Sequence, residues 1–355
     1  DIFTVGSDWN GYFDYLNEYC KVVYLERTQG ISSTQIRNQH SVQLGLVGNE
    51  MILDRFLNEM KYVSGIEVAG AYAPQDNKYK STQFMQFTQY DTYESLLDNV
   101  DAVYINAPLS LRDNLIEKAL EKRKHVLTEF PFSLDSQKAS GFMKTASKNG
   151  LVLMEGLKTA YCPAFGKMTS LVKSGRIGKI LSIEANFTQI LGNNLQNQIR
   201  IAGGSVVSLG AYPLLVIFKL LGYDYKKVEF ITHKENGIDT MTRMNFIYDG
   251  AIATALVAIN AKAEGSLTIS GTKGYVYVPA PWWKTEYYEL RYEDINKNNK
   301  FFYKFEGEGL RYEIVEFVKN IREKEHGNIF LTAGDMLMES KLLQKYNDNL
   351  VIINF

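Results

Sequence analysis

Cysteine is scarce in this chain: Cys20 and Cys162 are the only two, far apart in sequence. Such a pair supports neither a disulfide framework nor a metal-binding cysteine spacing. With only four dispersed histidines beside them, the expected setting is reducing and cytoplasmic. Long apolar runs are missing too: none reaches the roughly 18 residues of a membrane span, and no signal-peptide pattern is present. Charge of one sign is lacking, with 39 basic against 40 acidic side chains and a net charge of -1. A surface so balanced has no strong field to draw in nucleic acid or an anionic membrane. No internal repeat is present, which excludes solenoid and propeller arrays. No methionine precedes Asp1, which opens what reads as a strand, Ile2-Phe3-Thr4-Val5-Gly6. A fragment of a longer polypeptide is therefore expected.

What is there is the composition of a globular protein. The 355 residues are 45% hydrophobic and 22% charged, enough for about two or three domains. Residues 1 to 40 read as a strand, a turn at Asp8-Trp9-Asn10-Gly11, a short helix, a second strand (Val22 to Leu25) and a helix start at Ser32-Ser33-Thr34. From Val42 to Met154, short apolar runs alternate with helical patterns, the first helix carrying Ile52, Phe56, Leu57 and Met60 on one face. That alternation predicts right-handed crossovers and a Rossmann-like, doubly wound parallel sheet. Beyond Pro163 strands dominate, joined by turns such as Asp249-Gly250 and Thr272-Lys273-Gly274, with one long apolar helix from Val206 to Leu221. This predicts an α+β domain with a large, mostly antiparallel sheet. Asn296 to Lys300 reads as an exposed loop, and Leu310 onward is helical before a short apolar end.

Several local runs occur in a telling order. Asp101-Ala102-Val103-Tyr104-Ile105 leads into Ala107-Pro108. Lys124 to Leu127 leads into Thr128-Glu129-Phe130-Pro131. Leu153-Met154-Glu155 leads to Pro163, Ser174-Gly175-Arg176-Ile177-Gly178 follows, Gly203-Gly204-Ser205 opens the long helix, and Gly271-Thr272-Lys273-Gly274 precedes Pro281-Trp282. Together they resemble the glucose-fructose oxidoreductase, inositol dehydrogenase and MocA family across residues 42–355. Val5 to Trp9, Val22 to Leu25 and Gly30 to Arg37 resemble the C-terminal end of a CTP:glycerol-3-phosphate cytidylyltransferase. There Ser33, Thr34 and Arg37 would hold nucleotide phosphates at a helix N-terminus. The expected division is a cytidylyltransferase remnant and linker at 1–40, a dinucleotide-binding-type domain at 41–156, and a C-terminal domain at 157–355 whose last helix packs back on the Rossmann domain.

The resemblance implies NAD or NADP, held here by Gly48, Asn49, Ala107, Pro108, Glu129 and Pro131. Several positions depart from the family pattern. Glu50 stands where the second fingerprint glycine belongs, adding negative charge where a diphosphate would sit. At an effective dielectric of ~20, like charges ~4 Å apart repel by about 4 kcal/mol. Tyr72-Ala73-Pro74 offers the ribose neither an acid nor an arginine. The family's lysine is replaced by Phe130 and its helix-start aspartate by Ser208, while Tyr212 keeps the His/Tyr place. Leu109 and Arg112 stand where Asn and His usually flank the nicotinamide. Lys158 is the cation that could reach the cleft from the next strand's end and stand in for the lysine, although a solvated surface lysine is the usual case; with Arg200 it could instead hold an anion. Trp282-Trp283 is expected near a sheet edge or interface. On these residues the domain is expected to be degenerate in cofactor binding and catalysis, a scaffold or ligand-binding partner. The alternatives are an active sugar or polyol (phosphate) oxidoreductase using Tyr212, or a parent chain whose activity is nucleotidyl transfer to make a CDP-polyol for cell-wall or capsule polymers. The missing N-terminal cytidylyltransferase part and a second copy of the chain, in a homo-dimer or tetramer, are the expected partners.

Overall fold

The computed structural model describes residues 1–26, 41–48, 52–74, 81–192, 203–323, 329–350 and 352–354. They fall into two compact units, Asp1–Ser41 and Val42–Phe355. In the first, β1 (Ile2–Gly6) and β2 (Lys21–Leu25) pair in parallel. The short helix predicted between them is a 3-10 turn at Asp14–Glu18, and Tyr24 donates its hydroxyl to Asp14 there. The helix start at Ser32–Thr34 lies outside the described residues.

The second unit opens with five parallel strands. They are β3 (Val42–Val47), β4 (Ile66–Tyr72), β5 (Ala102–Ile105), β6 (His125–Glu129) and β7 (Leu153–Gly156), in the spatial order β4-β3-β5-β6-β7. On its other side β4 is bridged at Ala71 by Gln89, in parallel. The order therefore reverses between β3 and β5, and an open α/β sheet takes its ligand beyond the carboxyl ends of such strands. The helices fall where periodicity placed them. In α1 (Ile52–Met60), Phe56 and Leu57 are buried and Ile52 and Met60 half-buried. Then come α2 (Tyr93–Leu97) and α3 (Leu109–Glu121). In α4 (Ser136–Asn149), Asp135 caps the first turn by accepting from the Gln137 and Lys138 amides, and Gly150 ends it at φ 66°.

After α5 (Lys158–Tyr161) and α6 (Pro163–Lys173), nine strands form one large sheet. They are β8 (Ile180–Thr188), β9 (Lys227–Glu235), β10 (Ile238–Tyr248), β11 (Ala251–Ala258), β12 (Leu267–Gly271), β13 (Tyr275–Val278), β14 (Tyr287–Arg291), β15 (Asn299–Phe302) and β16 (Ile352–Asn354). Most neighbours are antiparallel; β11–β8 and β16–β9 are parallel. The Asp249-Gly250 turn closes β10 onto β11, Tyr248 facing Ala251.

Three expectations need correction. The long apolar helix is two, α7 (Ser205–Leu209) and α8 (Ala211–Leu221). The division falls at Gly210, three residues before Pro213, which has no amide hydrogen to offer the Leu209 carbonyl. The run at Asn296–Lys300 is only partly a loop, since Asn299 and Lys300 pair with β14 as an exposed edge strand. Trp282 lies at neither edge nor interface: it is fully buried, with its indole donating to the Asn186 carbonyl. The chain closes with α9 (Leu310–Glu323) and α10 (Ala333–Asn347). α10 packs on α4, where Gln344 accepts from the Ser136 amide at 3.0 Å.

Candidate functional site

The crevice beyond the parallel strands is built from their last residues. Gly48, just after β3, has φ +92°, and a Cβ there would lie 2.0 Å from the Asn106 carbonyl oxygen. Backbone passes that close only where a side chain is missing. β5 runs into Ala107-Pro108, which starts α3. Arg112, one turn into that helix, is fully buried. It donates to the carbonyls of Ala107 (2.9 Å), Glu129 (3.0 Å) and Pro131 (2.6 Å). Its guanidinium therefore ties the end of β5 to the end of β6 rather than facing a nicotinamide.

Glu129, the last residue of β6, and Phe130 just after it are half-buried. The Tyr104 hydroxyl, on the neighbouring strand, donates to Glu129 Oε1, and Tyr104 is held flat against Phe56 at 3.8 Å between ring centroids. Burial raises the Glu129 carboxyl, while the Tyr104 hydroxyl, Arg112 and Lys158 oppose it. Glu155, at the end of β7, is pushed up to about 8 by burial, although its Oε1 accepts from the Phe132 amide at 2.8 Å.

Lys158 opens α5 half-buried. The sequence left open whether it is a solvated surface side chain or one that enters the cleft; it is not fully solvated. Burial lowers its ammonium below the usual lysine range, and the Lys284 charge adds to that, while Glu313 and Glu308 pull the other way. Tyr212, in the first turn of α8, rests edge-on against Phe187 at 4.8 Å, and Phe187 stacks on Trp283 at 3.7 Å. Burial raises its hydroxyl pKa, with the Glu129 and Glu313 carboxyls adding to the shift. The Glu129 and Glu313 carboxyls thus act on both Lys158 and Tyr212, which come from different halves of the unit. Ser208 donates to the Gly203 carbonyl at 3.0 Å, fastening the start of α7. Tyr72 stacks on Tyr93, ring centroids 5.6 Å apart.

Asn49, Glu50, Ser33, Thr34, Arg37 and Arg200 lie outside the described residues. Glu313 and Glu339, two fully buried glutamates on α9 and α10, were missed. The signal for Glu313 was a carboxylate on an apolar stripe: Leu310, Glu313, Ile314 and Phe317 follow helical spacing. No group of three or more metal-type ligands exists among the described residues.

Residues 42–157 match the model of an oxidoreductase family with an NAD-binding Rossmann fold, and residues 165–277 match the C-terminal domain of the same family. The chain belongs to the Gfo/Idh/MocA oxidoreductases. The matched residues start at 42, so the likeness of residues 1–37 to a cytidylyltransferase is no part of this result. Among relatives, a dTDP-3,4-didehydro-2,6-dideoxy-alpha-D-glucose 3-reductase of Actinomadura kijaniata is 29% identical over 52% of this chain and 55% of its own length. The NADP-dependent scyllo-inositol 2-dehydrogenase of Bacillus subtilis is 23% identical over 88% of this chain and 98% of its own. A 3-ketoreductase from Actinomadura kijaniata, crystallised with NADP and TDP-benzene, has the same fold. Its TM-score is 0.76 at 22% identity, covering 89% of this chain and 99% of the other. The Rossmann half is of the NAD(P)-binding type, and the tight turn at Gly48 fits a backbone that must approach a pyrophosphate closely.

Proposed function

We propose that this chain is an NAD(P)-dependent reductase or dehydrogenase of a sugar or polyol, or of its phosphate, with Tyr212 and Lys158 handling the proton. What supports it most is that the Glu129 and Glu313 carboxyls act electrostatically on both Lys158 and Tyr212, two acid–base side chains at strand and helix ends where Phe130 offers none. Gly48, Asn49, Ala107, Pro108, Glu129 and Pro131 are the residues that would hold the dinucleotide, which when bound supplies or accepts the hydride. Tyr212, its pKa raised, stays protonated at neutral pH and can donate to a carbonyl oxygen. Lys158, its pKa lowered, gives up and regains a proton more readily than an exposed lysine.

The test is a fluorescence titration with NADH and NADPH, followed by turnover on a panel of keto-sugars and polyols. Micromolar binding with turnover is expected, and Tyr212→Phe and Lys158→Met should each lower kcat by roughly a hundredfold. Binding without turnover on any member would favour a second reading, that of a degenerate domain acting as scaffold or sensor; Phe130 and Ser208 in the family's lysine and aspartate places are the observation behind it. The order Gly30 to Arg37 supports residues 1–40 as the end of a cytidylyltransferase, and hence a parent chain that makes a CDP-polyol. CTP bound by a longer parent chain, but not by this one, would support that. A homo-dimer or tetramer is proposed by analogy with the family. A cytoplasmic setting is proposed from the two unpaired cysteines.

A further inference from the structure

The two adjacent tryptophans differ in what their polar edges do. Trp282 is fully buried and its indole donates to the Asn186 carbonyl at 2.9 Å. Trp283 is half-buried, and its indole nitrogen has no hydrogen-bond partner among the described residues. Its place is nonetheless closely set. One ring face lies flat on Phe187, with 3.7 Å between centroids and 8° between planes. The benzo edge lies against Gly265, where a Cβ would come 2.7 Å from the ring. The Trp283 carbonyl accepts from the Thr159 hydroxyl at 2.7 Å, which ties it to α5. An indole held on one face, one edge and its backbone keeps its second face and its N–H for another partner. Two further donors lie along the same run of contacts. Lys158 precedes Thr159 in α5, and Tyr212 rests edge-on against Phe187 at 4.8 Å. Both are half-buried. Neither the Lys158 ammonium nor the Tyr212 hydroxyl has a hydrogen-bond or ion-pair partner among the described residues.

We propose that Trp283 contacts the substrate, its open ring face carrying the carbon face of a sugar ring and its N–H donating to one of that ring's oxygens. Half-buried donors without acceptors, linked through Thr159 and Phe187, fit a ligand rich in oxygen. An aromatic face adds a second requirement, a flat patch of C–H bonds. A pyranose or furanose has both, the patch on its face and the oxygens around its rim. An open-chain polyol has the oxygens but no such face. The substrate class is therefore a cyclic sugar, with Tyr212 and Lys158 left for the carbonyl that is reduced.

The contact rests on the oxidoreductase reading, but it is measurable without turnover. The full chain, labelled with nitrogen-15 at tryptophan, gives indole N–H signals from Trp9, Trp282 and Trp283. Trp283→Phe assigns the last of them. If that variant does not fold, Trp9→Phe removes the exposed indole, and slow exchange marks Trp282, whose N–H is buried and bonded. Addition of D-glucose or D-galactose at high millimolar concentration, with and without NADP, is expected to move the Trp283 signal and leave that of Trp282 in place. Sorbitol, the open-chain probe, should move it much less. A Trp283 signal unmoved by either sugar, or moved as far by sorbitol, overturns the proposal. With any keto-sugar that the wild type reduces, Trp283→Phe keeps a ring on Phe187 but loses the donor. It should raise KM by roughly tenfold with NADPH affinity kept. An unchanged KM also overturns the proposal, and a rise matched by weaker NADPH binding and a lower Tm would mark a merely structural residue. Absence of NADPH binding would count against the oxidoreductase reading, and a silent indole against this one.

Discussion

At the scale of single residues, the crevice is shaped as much by missing side chains as by present ones. Gly48→Ala places a methyl group 2.0 Å from the Asn106 carbonyl oxygen at φ +92°. It is expected to cost roughly 1–3 kcal/mol of stability, read as a drop in denaturation midpoint, and to weaken NADPH binding in the same fluorescence titration. Gly48 was legible in the sequence because a glycine that ends an apolar run marks a tight turn off the strand. Arg112 was not legible in its actual role: its place in a family pattern says nothing of the three carbonyls that surround its guanidinium. Glu313 was hidden for a related reason. A carboxylate at a helical position reads as solvated until the neighbouring strand ends are known to cover it.

At the scale of elements, α10 is held at both ends of its contact with the rest of the unit. Thr332 and Asp335 form a reciprocal capping box, and Asp335 also accepts from Tyr223 at 2.7 Å and pairs with Lys219 at 3.3 Å. Thr332→Ala is expected to destabilise the unit by about 1 kcal/mol, measured by chemical denaturation. Further along the helix, Glu339 is fully buried beside Glu155 of β7, and burial pushes Glu155 up to about 8 and Glu339 well above its ordinary value. These carboxyls bind protons more tightly in the folded chain than in the unfolded one. Their contribution is therefore complete below the ordinary carboxyl pKa and is lost as pH rises from there through about 8. Thermal unfolding should show Tm falling between pH 5 and pH 8, and Glu339→Gln should flatten that slope. A Tm that rises across this window in the wild type would show that both carboxyls ionise without cost.

At the scale of the whole molecule, the nine-stranded sheet buries one face under helices and leaves the other exposed. Along β10 and β11 the residues alternate, with Met244, Phe246, Ala253 and Ala255 inside and Ile247 and Ile252 directly opposite each other outside, 44% and 53% exposed. Tyr275 and Tyr277 stand half-exposed on β13, and Phe302 is exposed on β15. Exposed apolar side chains on an open sheet face favour self-association. Light scattering after size exclusion is expected to give a dimer or tetramer, and the double change Ile247→Glu with Ile252→Glu to give a monomer without lowering Tm. A wild-type monomer at tens of micromolar would remove this prediction.

The amino-acid order alone settled the layered α/β plan and the parallel sheet followed by an antiparallel one, and its motifs carried the family resemblance that the family match bears out. The plan depends on local periodicity and on turn residues, which neighbours in sequence already contain. Tertiary structure decided which polar groups are buried together. Lys158, Tyr212, Glu129 and Glu313 are separated by up to most of the second unit's length, and their protonation depends on burial and on one another's charge. Dielectric surroundings and distances between strand ends exist only once the chain has folded, so no reading of sequence positions could rank those four groups.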